Sequence, residues 1–193
     1  MVTEAAPAEE EIGFTFVSGD VALDFAGTLR YWSTRREELL RAPADLARWL
    51  VLAGLLDQEP VVEDAERVMA MELRKAVYVL AQAKAEGNPL PEHALKLVNG
   101  WAGRPRVTPQ LMESGAVRRE GGTLEALATI ALRAIRLIGS DASLRQCGAD
   151  NCTRIFVDRS RRGDRKWCDM AGCGNRDKAR AHRARRAASL KTR

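Results

Sequence analysis

Four stretches of the chain repeat apolar residues at the spacing of one face of an α-helix. In the first stretch, Leu46, Trp49 and Leu50 fall at positions i, i+3 and i+4, so their side chains lie on the same side of a helix. The longest stretch is followed by Gly87 and Pro89, which are both typical of a helix end. The pattern therefore predicts helices over residues 43–56, 60–86, 91–101 and 124–139.

Two regions of the N-terminal part interrupt this helical pattern. Residues 14–32 are apolar but broken by two glycines, which indicates a short strand and then a helix that begins near Val21. Residues 104–120 indicate two short strands joined around residues 113–115. The N-terminal part is therefore expected to be a mainly α-helical domain that carries a short β-hairpin.

The pattern changes in the last quarter of the chain. Ile155 and Val157 alternate around Phe156, and the turn-forming residues 160–165 follow them, which together indicate a hairpin. The terminal segment 175–191 is rich in Ala, Arg and Lys and has no Gly or Pro, so it favours a helix. We therefore divide the chain into a helical domain over residues 1–143, with residues 1–12 disordered, and a small hairpin-and-helix module over residues 144–193.

Length and charge narrow the class of protein. The 193 residues are 46% hydrophobic, enough for a buried core, yet no apolar run approaches the roughly 18–20 residues that span a bilayer. The acidic N-terminus does not resemble a signal peptide, so we expect a cytoplasmic protein without a membrane partner. Residues 145–193 hold 15 basic and 5 acidic residues, whereas residues 1–144 hold 16 and 21. A basic module on an acidic body indicates a polyanion as partner.

All four cysteines of the chain lie in the module. Cys147, Cys152, Cys168 and Cys173 form two pairs, and four residues separate the partners within each pair. Four thiolates complete the tetrahedral shell of a structural zinc, and two short pairs bring them together at low entropic cost. Disulfides are not expected in the cytoplasm. An iron–sulfur cluster uses the same ligands but does not account for the arginine-rich segment that follows. The spacing therefore predicts one structural Zn²⁺, which stabilises a module too small to fold without it.

The arginine-rich helix predicts a nucleic-acid partner. Arginine and lysine contact phosphates, and a helix fits the major groove of DNA. Three alternatives remain: RNA as the partner, an acidic protein as the partner, and a solvated helix without a partner. Against RNA, the module has few aromatic residues to stack on bases. The residues predicted to contact nucleic acid are Arg176, Lys178, Arg180, Arg183, Arg185 and Arg186.

The N-terminal domain has fewer residues than the module that indicate a binding or catalytic site. Asp24 and Thr28 are four residues apart and share one face of a predicted helix, where they form either part of a ligand pocket or a hydrogen-bonded helix start. The sequence contains no nucleophile motif, phosphate-binding glycine loop or His/acid cluster. We therefore do not expect an enzyme.

The module resembles the CGNR zinc-finger family. The resemblance rests on "CGNR" at residues 173–176, "RKWC" at 165–168 and "FVDRS" at 156–160. The N-terminal part resembles the companion ABATE domain through "ALDFAGTL" at residues 22–29, although Ala26 and Gly27 replace the usual Val-Asn pair. The resemblance implies a bacterial transcription regulator whose zinc finger binds DNA. The N-terminal domain is then expected to sense a small-molecule effector or to form a homodimer.

Overall fold

The computed structural model describes residues 13–33 and 35–191, with the side chains described up to residue 185. The described chain is mainly α-helical, as predicted, with three two-stranded hairpins. The disorder predicted for residues 1–12 lies outside the described residues. The helices are α1 (Val21–Ala26), α2 (Pro43–Leu52), α3 (Asp64–Glu86), α4 (Glu92–Ala102), α5 (Thr123–Ile138) and α6 (Asn175–Lys191). The strands are β1 (Leu29–Arg30), β2 (Glu37–Glu38), β3 (Gln110–Leu111), β4 (Val117–Arg118), β5 (Leu144–Gln146) and β6 (Ile155–Val157).

The starts of three helices are stabilised in the same way. An acidic side chain in the first turn accepts a hydrogen bond from the backbone N–H just before the helix, at 2.8 Å in α2, 2.9 Å in α3 and 3.0 Å in α5. In α5 this residue is Glu125, and Gly122 takes the N-cap position. The predicted helices are thus confirmed, with ends that shift by at most four residues.

The main core lies between α1, α3, α4 and α5, with α2 packed on its edge. The apolar stripes predicted from the sequence face one another there, and Phe25, Trp49, Leu73 and Leu127 are almost completely buried. No helix in the described part of the chain is long and apolar enough to cross a membrane.

Two hairpins lie in the N-terminal part. Strands β3 and β4 pair antiparallel, with Gln110 opposite Arg118, at the place where the sequence predicts them. The β1–β2 hairpin was not predicted, since each strand has only two residues and no alternation of apolar and polar positions. The strand expected in residues 14–17 does not form.

The third hairpin differs from its predicted position. β6 pairs with β5, which precedes the first cysteine, so the hairpin loop holds the first cysteine pair instead of residues 160–165. The two faces of this hairpin lie in different cores. Leu144, Ile155 and Val157 join the main core, while Phe156 packs against the cysteines. The boundary at residues 143 and 144 stays a prediction, and the main core extends across it.

Candidate metal centre and basic helix

The β5–β6 hairpin positions the first pair of cysteines. The backbone N–H of Cys147 donates to Arg154 O at 2.9 Å, which closes the loop, and Asn151 takes a left-handed conformation with φ of 60°. The N–H of Gly148 donates to Lys166 O at 2.8 Å, which ties the loop to the segment before Cys168. A short turn made of small and polar residues therefore holds both sulfurs on one side of the hairpin.

A π-helical turn, Met170–Gly174, positions the second pair. The carboxylate of Asp169 caps this turn, since it accepts hydrogen bonds from the N–H groups of Ala171 at 3.2 Å and Gly172 at 2.6 Å. Asp169 therefore has a structural role close to the sulfurs. The turn runs directly into α6, so the metal centre sets the direction of the basic helix.

The four sulfur atoms have the arrangement that zinc requires. All four lie within 4.8 Å of one another, and the Sγ of Cys168 is 3.9 Å from that of Cys152 and 3.6 Å from that of Cys173. Zinc–sulfur bonds of about 2.3 Å in a tetrahedron place the sulfurs about 3.8 Å apart, whereas a disulfide needs about 2.05 Å. Cys147, Cys152, Cys168 and Cys173 therefore fit one structural Zn²⁺.

The protonation of the thiols favours a divalent cation. Hydrogen bonds from the thiols of Cys152 and Cys168 hold the pKa of Cys147 far below its usual range. The hydrogen bonds to Cys147 raise the pKa of Cys152 and Cys168, and burial and repulsion by the Cys147 thiolate act in the same direction. A bound cation removes this repulsion, so zinc binding displaces the remaining protons.

Apolar side chains shield the centre from water. Phe156 is fully buried beneath the sulfurs, and Trp167 and Ala149 pack beside them. The guanidinium of Arg165 lies 4.7 Å from the centre of the Phe156 ring and donates to the backbone carbonyls of Trp167 and Cys168. These contacts hold the third cysteine in place.

Arg176, which was predicted to contact nucleic acid, lies against the metal centre. Its guanidinium donates to the Sγ of Cys173 at 3.0 Å. The sulfur of Cys173 and the hydroxyl of Tyr31 both raise the pKa of Arg176. A zinc bound by four thiolates carries two negative charges, and a cation that donates to one sulfur offsets part of this charge.

Arg176→Gln is therefore expected to weaken zinc binding by about 10- to 100-fold, in the range of other outer-shell substitutions. Competition with a colour-forming chelator measures this affinity, and Arg183→Gln is the matched control because Arg183 is exposed on the same helix. Equal zinc affinities for Arg176→Gln and the unmodified protein would show that the contact with Cys173 does not stabilise the centre.

The other residues predicted to contact nucleic acid lie along α6. Lys178, Arg183 and Arg185 are exposed there. Arg180 is also exposed but forms ion pairs with Asp150 and with Asp177, the latter at 2.9 Å. The side chain of Arg186 lies outside the described residues.

Asp24 and Thr28, the residues predicted for a ligand pocket, are buried and hydrogen-bonded within the protein. The carboxylate of Asp24 accepts from the N–H of Ser18 at 2.9 Å and lies 3.7 Å from the guanidinium of Arg154. Burial raises the pKa of Asp24, although the hydrogen bonds from Ser18 and the charge of Arg154 act in the opposite direction. The hydroxyl of Thr28 donates to a carbonyl of α1 and accepts from Arg74 at 3.1 Å.

Sequence reasoning missed Arg154, which joins the module to the N-terminal domain. Its guanidinium donates to Thr15 and Ser18 and pairs with Asp24. It also packs directly on Gly27, where a Cβ atom would lie only 2.5 Å from its Nη1. The Ala-Gly pair that departs from the usual motif thus leaves room for this arginine. No local signal could have indicated the contact, since the partners are more than 120 residues apart.

A helical domain joined to a four-thiolate centre and a basic helix defines a zinc-finger protein with one structural zinc. Residues 143–186 match the family described as CGNR zinc finger. Residues 19–141 match the ABATE family, described as Putative stress-induced transcription regulator, and the chain belongs to this family. Both resemblances seen in the sequence are confirmed, and the two families are of the regulator and zinc-finger types. No curated protein matches the chain.

Proposed function

We propose that the protein is a transcription regulator whose zinc finger binds DNA through α6, with the N-terminal domain as its sensor. One observation carries the proposal: the metal centre leads without a linker into a helix whose exposed cations include Lys178 and Arg183. A helix oriented in this way enters the major groove with its cations beside the phosphates.

Some of the predicted contact residues are better candidates for phosphate contacts than others. Arg176 donates to a zinc ligand, and Arg180 is paired with two acidic side chains, so neither is our first choice for a phosphate contact. Arg161 and Arg162 are exposed in the loop after β6 and add positive charge to the module. The sequence run "SRRGDRK" at residues 160–166 was a signal that could have identified them.

The aromatic residues of the module favour DNA over single-stranded RNA. Binding of single-stranded RNA commonly uses exposed aromatic rings that stack on bases. Phe156 is fully buried, and Trp167 packs against the cysteines. The ring of Phe156 is therefore not available to stack on a base, and that of Trp167 is partly covered.

The double substitution Lys178→Gln and Arg183→Gln tests the interface. Each phosphate contact contributes about −0.9 to the slope of log K against log salt, so the loss of two contacts should flatten the slope by about 1.8. Fluorescence anisotropy with random-sequence duplex DNA over a series of salt concentrations measures this slope. Zinc content should stay unchanged, because neither residue is a ligand.

The matched control carries the same two chemical changes on the N-terminal domain, Lys75→Gln and Arg136→Gln, where both residues are exposed. This control should keep the slope of the unmodified protein. Equal slopes for all three proteins would remove α6 from the DNA interface. Tighter binding to single-stranded RNA than to duplex DNA would favour the RNA alternative, and binding to neither would leave an acidic protein as the partner to test.

A further inference from the structure

A cavity of about 230 Å³ lies between the N-terminal domain and the zinc finger. On one side it is lined by α1 and by the segment from Leu29 to Trp32. On the other side it is lined by β6 and by three of the zinc ligands, Cys152, Cys168 and Cys173. A molecule in this cavity would therefore contact both parts of the protein.

The walls of the cavity are mainly apolar. Leu23, Ala26 and Ile155 contribute aliphatic surface. Trp32 and Tyr78 also line it, and their rings are stacked, with centroids 4.3 Å apart and an interplanar angle of 10°. A surface of this kind favours a flat, apolar molecule, because aromatic rings contact one another over a large area.

The charged groups that line the cavity already have partners within the protein. Arg30 pairs with Glu37 at 3.2 Å, and Arg154 pairs with Asp24 at 3.7 Å. Arg176 donates to the Sγ of Cys173, and the carboxylate of Asp169 accepts from two backbone N–H groups. A charged ligand would lose its hydration and would find no unpaired side-chain charge apart from the zinc-bound thiolates, whose negative charge Arg176 partly offsets. The cavity is therefore suited to an uncharged molecule.

The cavity also touches the contacts that hold the finger in place. The hydroxyl of Thr153 accepts from the N–H of Trp32 at 3.0 Å, and its carbonyl accepts from the hydroxyl of Tyr78 at 3.3 Å. Tyr31, with φ of 55°, lies beside Arg176 near the start of α6. A ligand that moves these side chains would therefore alter the contacts that hold the finger.

We propose that this cavity is a binding site for a small, uncharged ring compound, and that its occupant alters DNA binding by the finger. Its volume is below the roughly 300–1,000 Å³ typical of sites for drug-sized molecules, so one or two rings fill it. The effect on DNA rests on the proposed function, whereas the binding site itself does not.

Binding is tested with the zinc-loaded full chain by isothermal titration calorimetry. The uncharged probes are phenol and indole, and the charged probes of similar size are benzoate and benzylamine. We expect at least one uncharged probe to bind with Kd below about 1 mM, and both charged probes to bind at least about tenfold more weakly. In the presence of that probe, the affinity for duplex DNA should change by about threefold or more.

Val17→Phe fills the cavity with a larger side chain, because Val17 lines it. Val61→Phe is the matched control, since Val61 is 94% exposed and lies outside the cavity. Val17→Phe should weaken probe binding at least about tenfold, while Val61→Phe should leave it unchanged. Circular dichroism and zinc content verify that each variant is folded, and Ala26→Val replaces Val17→Phe if the latter is not.

Three results would overturn the proposal. The first is that neither uncharged probe binds, the second is that Val17→Phe binds the probe as tightly as the unmodified protein does, and the third is that a charged probe binds more tightly than the uncharged ones. Unaltered DNA affinity at saturating probe would overturn the proposed coupling. A protein that binds a probe in the cavity but no nucleic acid would contradict the proposed function and leave the cavity site in place.

Discussion

Cys168→Ser is expected to remove the zinc from the protein and to unfold the finger. Cys168 is buried, and its Sγ lies within 4 Å of those of Cys152 and Cys173. In small zinc fingers, metal binding supplies about 10–16 kcal/mol of apparent free energy, and this energy also drives folding. Elemental analysis should show a fall from one zinc per chain to almost none.

The effect should reach beyond the finger. Because Leu144, Ile155 and Val157 of the hairpin lie in the main core, loss of the finger exposes part of that core to water. Hydrogen exchange should rise strongly over residues 144–176 and more weakly in α3, which packs against the hairpin, and in α1, whose Asp24 pairs with Arg154. The helical content of α4 and α5 should be retained.

Met170→Ser is the matched control, because Met170 is about half exposed in the π-helical turn just after Cys168 and is not a ligand. It should keep its zinc and its protection from exchange. Full protection of residues 144–176 in Cys168→Ser would contradict the prediction, since it would mean that the finger folds without its metal.

Glu38→Gln is expected to destabilise the N-terminal domain by about 3 kcal/mol, the lower end of the range for breaking a buried ion pair. The side chain of Arg74 is only 2% exposed, and it donates to both carboxylate oxygens of Glu38, at 2.6 and 2.5 Å. The substitution leaves a buried charge without its counter-charge. The lower value applies because the side chain of Glu38 is 26% exposed, so water can partly replace the lost carboxylate.

The same pair predicts a dependence of stability on pH. Burial by itself raises the pKa of Glu38, but the hydrogen bonds and charge of Arg74 outweigh it and bring the pKa below its ordinary value of 4.5. A lowered pKa in the folded state stabilises the protein above pH 4.5, and this contribution is lost as the pH falls through the folded value. Urea unfolding at a series of pH values should therefore show a smaller acid-dependent loss in Glu38→Gln.

Glu37→Gln is the matched control, since Glu37 is a neighbouring acid whose partner, Arg30, is 30% exposed. Glu37→Gln should lower the free energy of unfolding by less than about 1 kcal/mol, as for other exposed ion pairs. If Glu38→Gln and Glu37→Gln had equal stabilities, the Arg74 pair would not be a main support of the domain.

The sequence was most informative where structure depends on neighbouring residues. The apolar stripes around Leu73 and Leu127 predicted helices that do face the core, because a helical period places such residues on one side. The cysteine spacing predicted a common metal site, since two short loops can hold four sulfurs in only a few ways. The helix over residues 175–191 followed from its composition.

Other features were decided by the tertiary structure alone. β6 pairs with β5 and not with the residues that follow it. One face of this hairpin therefore lies in the main core, and the other packs against the cysteines. A stretch such as "IFV" indicates a strand but not its partner, because several registers satisfy the same alternation. Arg176 looked like one more cation of a basic helix, and only the direction of its side chain places it on a sulfur.

The sequence by itself determined the main helices of this protein, the zinc site and the uneven distribution of charge. The tertiary structure decided how the finger joins the helical domain, through the contacts of Arg154 with Gly27 and Asp24. It also decided which buried charges pair inside the helical domain, as Arg74 does with Glu38. The reason is physical. Helix periods and metal-binding turns arise from interactions over a few residues, whereas a contact across 36 or 130 residues exists only after the packed elements have brought the two side chains together.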